Sequence, residues 1–224
     1  MNLTTNNNIY LKNIFLIDWD DTLFPTNWVN SNKIDLRSNN SIEEYKLYFL
    51  DLDKVISEFL DSLTKRGEIF IVTNAALNWI NVCLKVLPLT SKIIIENKIR
   101  IISARDLYSK KTNSTMDWKI LTFQNVLKEI FNKMNNIKEN TYLNIFSFGD
   151  AKYEYVALMK LNEYLLNNEY VNEKNKNNNF NFLLKSIKFM EKPTFEFIID
   201  QIRVVEKNRD LIINKLEYVD LKFD

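Results

Sequence analysis

Histidine is absent from this chain of 224 residues, and cysteine, glycine and proline are scarce. Without histidine there can be no histidine-ligated metal, no Ser-His-Asp or Cys-His catalysis and no histidine general base. The single cysteine, Cys83, excludes a disulfide within the chain and lies in an apolar helical pattern, so we expect it in the core rather than as a nucleophile. The two glycines, Gly67 and Gly149, are too few for a glycine-rich phosphate-binding loop.

Charge of one sign does not dominate either. Thirty basic and 29 acidic residues leave a formal net charge of +1 at pH 7, which offers no electrostatic attraction to nucleic acid or to an anionic membrane. No apolar run is long enough to span a membrane, and the polar N-terminus does not resemble a signal peptide. We therefore expect a soluble, intracellular, cytoplasmic protein with no nucleic-acid or membrane partner. The chemistry that remains is that of carboxylates, lysine, threonine and a bound metal ion.

Apolar runs predict five strands separated by helical patterns. The strands fall at 13–18, 69–73, 99–103, 143–148 and 186–190, and the helices at 51–66, 75–87, 116–134, 151–166 and 194–217. This alternation predicts a five-stranded, mainly parallel sheet with helices on both faces, which is a three-layer α/β fold. We expect a single domain over residues 1–224.

Two segments interrupt the alternation of strands and helices. Residues 27–48 mix polar and aromatic side chains, which predicts an extended loop or a small flap. Residues 167–182 are rich in asparagine, which predicts a flexible surface insertion.

The segment IFLIDWDDTLFPT, residues 14–26, carries the strongest functional signal. Its four leading apolar residues predict a strand buried on both faces, and Asp18 and Asp20 follow at the carboxyl end, where open α/β sheets build their active sites. Acids and threonines are also common in ordinary turns, so this segment alone does not establish a site. A functional interpretation gains weight because later strands end in polar residues too.

Polar residues follow the second and fourth predicted strands. Thr73 and Asn74 end the second strand, where a threonine can cap the next helix and a helix N-terminus can bind an anion. Gly149 and Asp150 end the fourth strand, and Glu154 comes four residues later. Glycine permits a tight turn from strand to helix, so we expect the two acids to point toward the same site.

Together these motifs resemble the haloacid dehalogenase (HAD) superfamily. Asp18, Asp20 and Thr22 match its D-x-D-x-T opening motif, and the later motifs follow in the family's order over most of residues 13–190. The first segment also resembles the magnesium-dependent phosphatase and C-terminal-domain phosphatase families. The segments I-S-A-R, ending at Arg105, and K-S-I-K-F, ending at Phe189, resemble a little-characterised eukaryotic HAD branch. The resemblance implies a Rossmann-like HAD fold.

The resemblance also implies roles for the paired acids. Asp18 would be the nucleophile that forms an aspartyl-phosphate, and Asp20 would protonate the leaving oxygen and then activate water. Dehalogenases and transport ATPases of the superfamily lack an acid at the position of Asp20, so this residue argues for phosphomonoester chemistry. The metal would be Mg²⁺, held by Asp18, the backbone carbonyl of Asp20, Asp150 and Glu154.

The phosphate-binding residues implied by the resemblance are Thr73, Asn74 and a lysine near the start of the helix before the fourth strand. Lys119 fits that position because Trp118 and the amphipathic phase place it near the helix start, while Lys110 and Lys111 are alternatives.

The spacing of the motifs leaves little room for a cap domain. Asp18 and Thr73 are about 55 residues apart, and a helix and a strand occupy part of that span. We therefore expect a minimal cap or none, and an open site with Trp28 and Tyr45 at its rim. An open site suits a phosphate on a macromolecule such as a protein, or a small substrate covered by a second subunit. The implied activity is Mg²⁺-dependent phosphomonoester hydrolysis; the alternatives are a phosphotransferase or mutase, and a non-enzymatic HAD-like interaction module.

Overall fold

A six-stranded parallel sheet forms the centre of the protein in a computed structural model that describes residues 9–134, 140–167 and 181–223. The strand order is β3-β2-β1-β4-β5-β6, and every neighbouring pair is parallel. The strands are β1 (Tyr10–Ile17), β2 (Gly67–Thr73), β3 (Arg100–Ser103), β4 (Thr141–Gly149), β5 (Asn181–Lys188) and β6 (Val219–Lys222).

Helices connect the strands and cover both faces of the sheet. They are α1 (Thr26–Ser31), α2 (Asn39–Glu44), α3 (Lys46–Thr64), α4 (Leu77–Cys83), α5 (Pro88–Glu96), α6 (Ala104–Tyr108), α7 (Thr115–Lys133), α8 (Lys152–Asn167) and α9 (Phe195–Asn214), with a 3₁₀ turn at Leu84–Val86. Across the described residues, no helix combines the length and the apolar character needed to cross a membrane.

The alternation of side chains along β1 divides the core into two layers. Phe15 and Ile17 pack in a cluster with residues of α3, α4, α5 and α9, whereas Ile14 and Leu16 pack on the opposite face with residues of α7 and α8. All four side chains are fully buried. A strand that is covered on both faces has a continuous run of apolar residues in the sequence, because successive side chains point to opposite sides of the sheet. The three-layer α/β architecture is confirmed.

The prediction of five strands is wrong, because the sheet has a sixth strand, β6, paired with β5. In this strand only Val219 is buried, so the segment lacks the apolar run that identifies an inner strand. The fifth strand spans 181–188 rather than 186–190. The predicted helix over 75–87 comprises α4 and the 3₁₀ turn, and α5 follows directly after Leu87.

The two interrupting segments have different outcomes. Residues 27–48 are not an extended loop: they contain most of α1, all of α2 and the first turn of α3. The predicted asparagine-rich insertion falls mostly on residues 168–180, which lie outside the described residues, and residues 181–182 begin β5.

Candidate active site

The direction of the chain across the sheet reverses beside β1, which is the place where α/β sheets open a crevice. From β1 the chain proceeds to β2 and β3 on one side and then returns to β4 on the other. The amide of Asp18 donates a 2.9 Å hydrogen bond to the carbonyl of Phe148, so the first acid lies against the end of β4. A cleft of about 550 Å³ opens at this edge. Of the residues predicted from the sequence, it is lined by Asp18, Asp20, Asn74, Lys119, Asp150 and Glu154.

Lys119 lies at the floor of the cleft and is almost fully buried. Its ammonium donates to Asp18 Oδ1 at 2.6 Å and to the carbonyl oxygen of Val72 at 2.7 Å, and it lies 2.9 Å from Glu154 Oε1. Burial opposes the charge, but the attraction of the two carboxylates outweighs it and raises the pKa of Lys119 above its usual range. Lys119 therefore supplies a permanent positive charge beside Asp18.

Three carboxylates converge next to this ammonium. One oxygen from each of Asp18, Asp150 and Glu154 lies within 4.8 Å of the others, a spacing that could hold a metal ion. Glu154 Oε2 is buried and has no hydrogen-bond partner among the described residues. A side chain at position 149 would place its Cβ 2.1 Å from Glu154 Cγ, so Gly149 is required for the close approach of this carboxylate.

Burial, followed by the neighbouring carboxylates, raises the pKa values of two of these acids. Burial, together with Glu154 and Asp21, raises the pKa of Asp150 to about 7. Burial also raises the pKa of Asp18 well above its usual range, although Lys119 opposes the shift. Three carboxyl groups thus face one ammonium, and a bound cation would favour their charged forms.

Asp20 lies on the other side of the cleft and is held by three side chains. Thr26 Oγ1 and Trp79 Nε1 donate to Asp20 Oδ1 at 2.5 and 2.9 Å, and Thr73 Oγ1 donates to Asp20 Oδ2 at 3.1 Å. The paired acids of the first motif therefore have different surroundings: Asp18 contacts a buried ammonium, whereas Asp20 accepts from three neutral donors.

Thr73 and Asn74 close the end of β2. Thr73 is fully buried beneath Asp20, and its hydroxyl oxygen accepts a 2.9 Å hydrogen bond from the amide of Ala75. Asn74 lines the cleft, and its side-chain amide donates to the carbonyl of Thr115 at 3.0 Å, which links this loop to the start of α7. Thr73 is therefore the one of the two that contacts Asp20, whereas Asn74 is the one that lines the cleft.

The remaining polar residues of the first motif shape its turn. Thr22 is fully buried, and its hydroxyl accepts a 3.1 Å hydrogen bond from the amide of Asp150, which joins the loops after β1 and β4. Asp21 has a positive φ of 53°, and its carboxylate accepts hydrogen bonds from the backbone and the side chain of Asn27. We assign both residues to the construction of the turn.

Among the three candidate lysines, the structure brings Lys119 to Asp18. Lys110 and Lys111 are exposed beyond α6, and the Lys111 ammonium lies 5.3 Å from the ring centre of Tyr108.

The prediction that Trp28 and Tyr45 form the rim is wrong. Their rings pack against each other with centres 5.6 Å apart, and Trp28 also packs on Phe195 at 4.9 Å. The residues of this part of the chain that line the cleft are Thr26 and Asn30, because the aromatic side chains turn inward to join α1 to α3 and α9.

Several residues of the site carried no prediction from the sequence. Trp79, Arg105 and Tyr153 line the cleft, and Lys188 donates a 2.5 Å hydrogen bond to the carbonyl of Asp150. Arg105 and Lys188 belong to the I-S-A-R and K-S-I-K-F segments, so the resemblance marked those segments without a role. No motif marks Trp79, because it fits the predicted helix over 75–87 like its neighbours.

Comparison of the chain with protein-family models, curated proteins and solved structures finds no match.

Proposed function

We propose that this chain is a HAD-type, Mg²⁺-dependent phosphomonoester hydrolase that works through an aspartyl-phosphate on Asp18. The observation that carries this proposal is the contact of Asp18 with Lys119, 101 positions apart in the sequence, beside the converging carboxylates of Asp150 and Glu154. A buried carboxylate that meets a fixed positive charge and two further acids at a sheet edge suits an attack on an anionic phosphorus centre.

The donor set fits Mg²⁺. All the side-chain ligand atoms are carboxylate oxygens, which Mg²⁺ prefers, and the partnerless Glu154 Oε2 is an acceptor without a donor. Asp18, Asp150 and Glu154 would hold the ion, with the backbone carbonyl of Asp20 as the fourth predicted ligand. When bound, Mg²⁺ would neutralise part of the negative charge that otherwise repels a phosphate.

The residues of the chain divide the reaction between them. A carboxylate oxygen of Asp18 would form a bond to phosphorus as the bond to the leaving oxygen breaks, and Asp20 would give its proton to that oxygen. Asp20 would then take a proton from the water that attacks the aspartyl-phosphate, which releases inorganic phosphate and restores Asp18. Lys119 and Thr73 would stabilise the charge on the phosphoryl oxygens.

An open cleft suits a phosphate carried by a macromolecule such as a protein. Asn30, Arg105 and Tyr153 on its rim are exposed, and the segment between the first motif and α3 forms two short helices rather than a folded domain. A site without a cap admits a phosphate on a larger body, because nothing must close over it before reaction.

Hydrolysis of p-nitrophenyl phosphate by the purified chain tests the proposed function. We expect turnover with Mg²⁺, none after chelation with EDTA, and recovery when Mg²⁺ is added back. Asp18→Asn should lower kcat by about 10³-fold or more and remove the phosphorylated protein seen by mass spectrometry after an acid quench. Asp61→Asn is the matched control, because Asp61 lies on α3 outside the site and pairs with the exposed Lys65.

Asp20→Asn should let the phosphorylated protein form from this good leaving group but slow its hydrolysis. Full activity after complete chelation, or an unchanged rate in Asp18→Asn, would contradict the proposed function.

A further inference from the structure

The carboxylate of Asp20 is held on its two oxygens in different ways. Oδ1 accepts from Trp79 on α4 and from Thr26 on α1, whereas Oδ2 has one donor within the described part of the chain, Thr73 at the end of β2. Three separate elements thus meet at one side chain. Two donors on one oxygen restrict the rotation of a carboxylate more than a single donor does.

The indole of Trp79 is itself fixed in place. Its ring meets the buried ring of Phe24 edge to face, with centres 6.0 Å apart and an interplanar angle of 83°. Phe24 in turn stacks on the buried ring of Trp19 at 6.0 Å. The N–H of Trp79 is therefore presented to Asp20 by a packed aromatic column rather than by a mobile side chain.

The hydroxyl of Thr73 has a single proton, and this proton now goes to Asp20 Oδ2. Its lone pairs already accept from the amide of Ala75. If Thr73 turns this proton toward a phosphoryl oxygen, as the proposed function requires, it can no longer donate to Asp20. Phosphate binding would then free Oδ2 while Oδ1 stays held.

We propose that Trp79 and Thr26 are positioning residues that hold Asp20 through Oδ1, so that Oδ2 faces the leaving oxygen once Thr73 turns to the phosphoryl group. This inference rests on the proposed function, and it specifies which substrates depend on the positioning of Asp20. Esters with poor leaving groups need a well-placed proton donor, whereas nitrophenyl esters do not. The hydrogen bonds that Trp79 and Thr26 donate to Asp20 Oδ1 should therefore affect kcat for phenyl and alkyl phosphates.

Trp79→Phe tests the proposal, because it removes the N–H and keeps an aromatic ring beside Phe24. We expect kcat for phenyl phosphate to fall about tenfold with KM unchanged, and kcat for p-nitrophenyl phosphate to fall less than about twofold. Trp118→Phe is the matched control, because the Trp118 indole donates at 2.7 Å to the carbonyl of Thr112 outside the site. It should leave both substrates unchanged.

Thr26 provides a second variant if Trp79→Phe fails to fold. Thr26→Val should show the same dependence on the leaving group, and Thr26→Ser should restore the rate with phenyl phosphate because it keeps the hydroxyl. Equal losses on both substrates, or a change in KM alone, would overturn the positioning role while the proposed function stands. A wild-type protein inactive on both esters would overturn the proposed function and, with it, the positioning role.

Discussion

Among the residues that the structure describes, two lysines are buried, and their ammonium groups have different kinds of partner. Lys119 on α7 and Lys185 on β5 are both almost fully inaccessible to solvent. Lys119 meets two carboxylates and one carbonyl at the carboxyl edge of the sheet. The Lys185 ammonium instead donates to backbone carbonyls, those of Ile212, Ile213 and Lys215, at 2.7, 2.9 and 2.7 Å.

The partners of each lysine explain its role. The carbonyls that accept from Lys185 lie at the end of α9, where the last turn of a helix leaves its acceptors unsatisfied, so Lys185 completes the helix. Lys119 instead contacts the carboxylates of Asp18 and Glu154, which we propose also bind Mg²⁺. Burial alone does not distinguish the two lysines; the chemistry of their partners does, and for that reason we propose a role in the reaction for Lys119 alone of the two.

The largest expected effect is on the activity of the Lys119 site. Lys119→Met should lower kcat/KM for p-nitrophenyl phosphate by about 10³-fold at saturating Mg²⁺, because it removes the fixed charge beside Asp18. The exposed Lys128 on the same helix provides the control, and Lys128→Met should stay near the wild-type rate. A Lys119→Met variant with near-normal activity would show that both buried lysines are structural.

The next effect is on stability, at the other lysine. Lys185→Met should lower the free energy of unfolding by about 3 kcal/mol, because it removes the Lys185 donor from the carbonyls of Ile212 and Lys215 at the end of α9, while that of Ile213 still accepts from Asn144. Urea unfolding followed by circular dichroism measures this change, with Lys207→Met on the exposed side of α9 as the control. The kcat/KM of the folded Lys185→Met protein should match the wild type; a specific loss of activity would break the contrast between the two sites.

A third lysine, Lys188, lies on β5 with Lys185 but contacts the loop of the Lys119 site, so it tests how far the contrast extends. Its ammonium donates to the carbonyl of Asp150 and pairs with Glu191 at 3.0 Å. Lys188→Met should raise the Mg²⁺ concentration for half-maximal activity about tenfold, because residues that orient a ligand contribute to metal affinity. Glu191→Gln removes only the exposed ion pair and should change that concentration less than about twofold. Equal shifts in the two variants would show that Lys188 acts through its ion pair with Glu191 and not through its contact with Asp150.

The smallest effect is a pH dependence of stability. Burial and the neighbouring Lys215 lower the pKa of Lys185 to about 8, from 10.5. Between these values the unfolded chain keeps a proton that the folded chain has lost, so the contribution of Lys185 to stability rises with pH. We expect a gain of about 1 kcal/mol over this range, limited because the three carbonyls favour the charged form. Urea titrations at pH 8 and pH 10.5 should show this gain in the wild type but not in Lys185→Met.

The inner strands and the order of the acids could be predicted because they depend on local pattern. Continuous apolar runs reveal β1, β2 and β4, and Asp18, Thr73 and Asp150 follow where these strands end. The structure brings these residues to one edge, although their roles remain predictions. The edge strand β6 escaped prediction because three of its four side chains are exposed and its pairing with β5 depends on where α9 delivers the chain.

The sequence by itself determined the α/β class, the absence of histidine chemistry and the presence of acids at two strand ends, with Thr73 at a third. Only the tertiary structure decided that Lys119 rather than Lys110 or Lys111 reaches Asp18, and that Trp79 and Thr26 hold Asp20. The physical reason is the distance along the chain between the residues that meet. Periodicity reports which face of a strand or helix is buried, whereas the Lys119–Asp18 and Trp79–Asp20 contacts join positions 101 and 59 residues apart. Such contacts form only when helices packed on both faces bring the loops of neighbouring strands together.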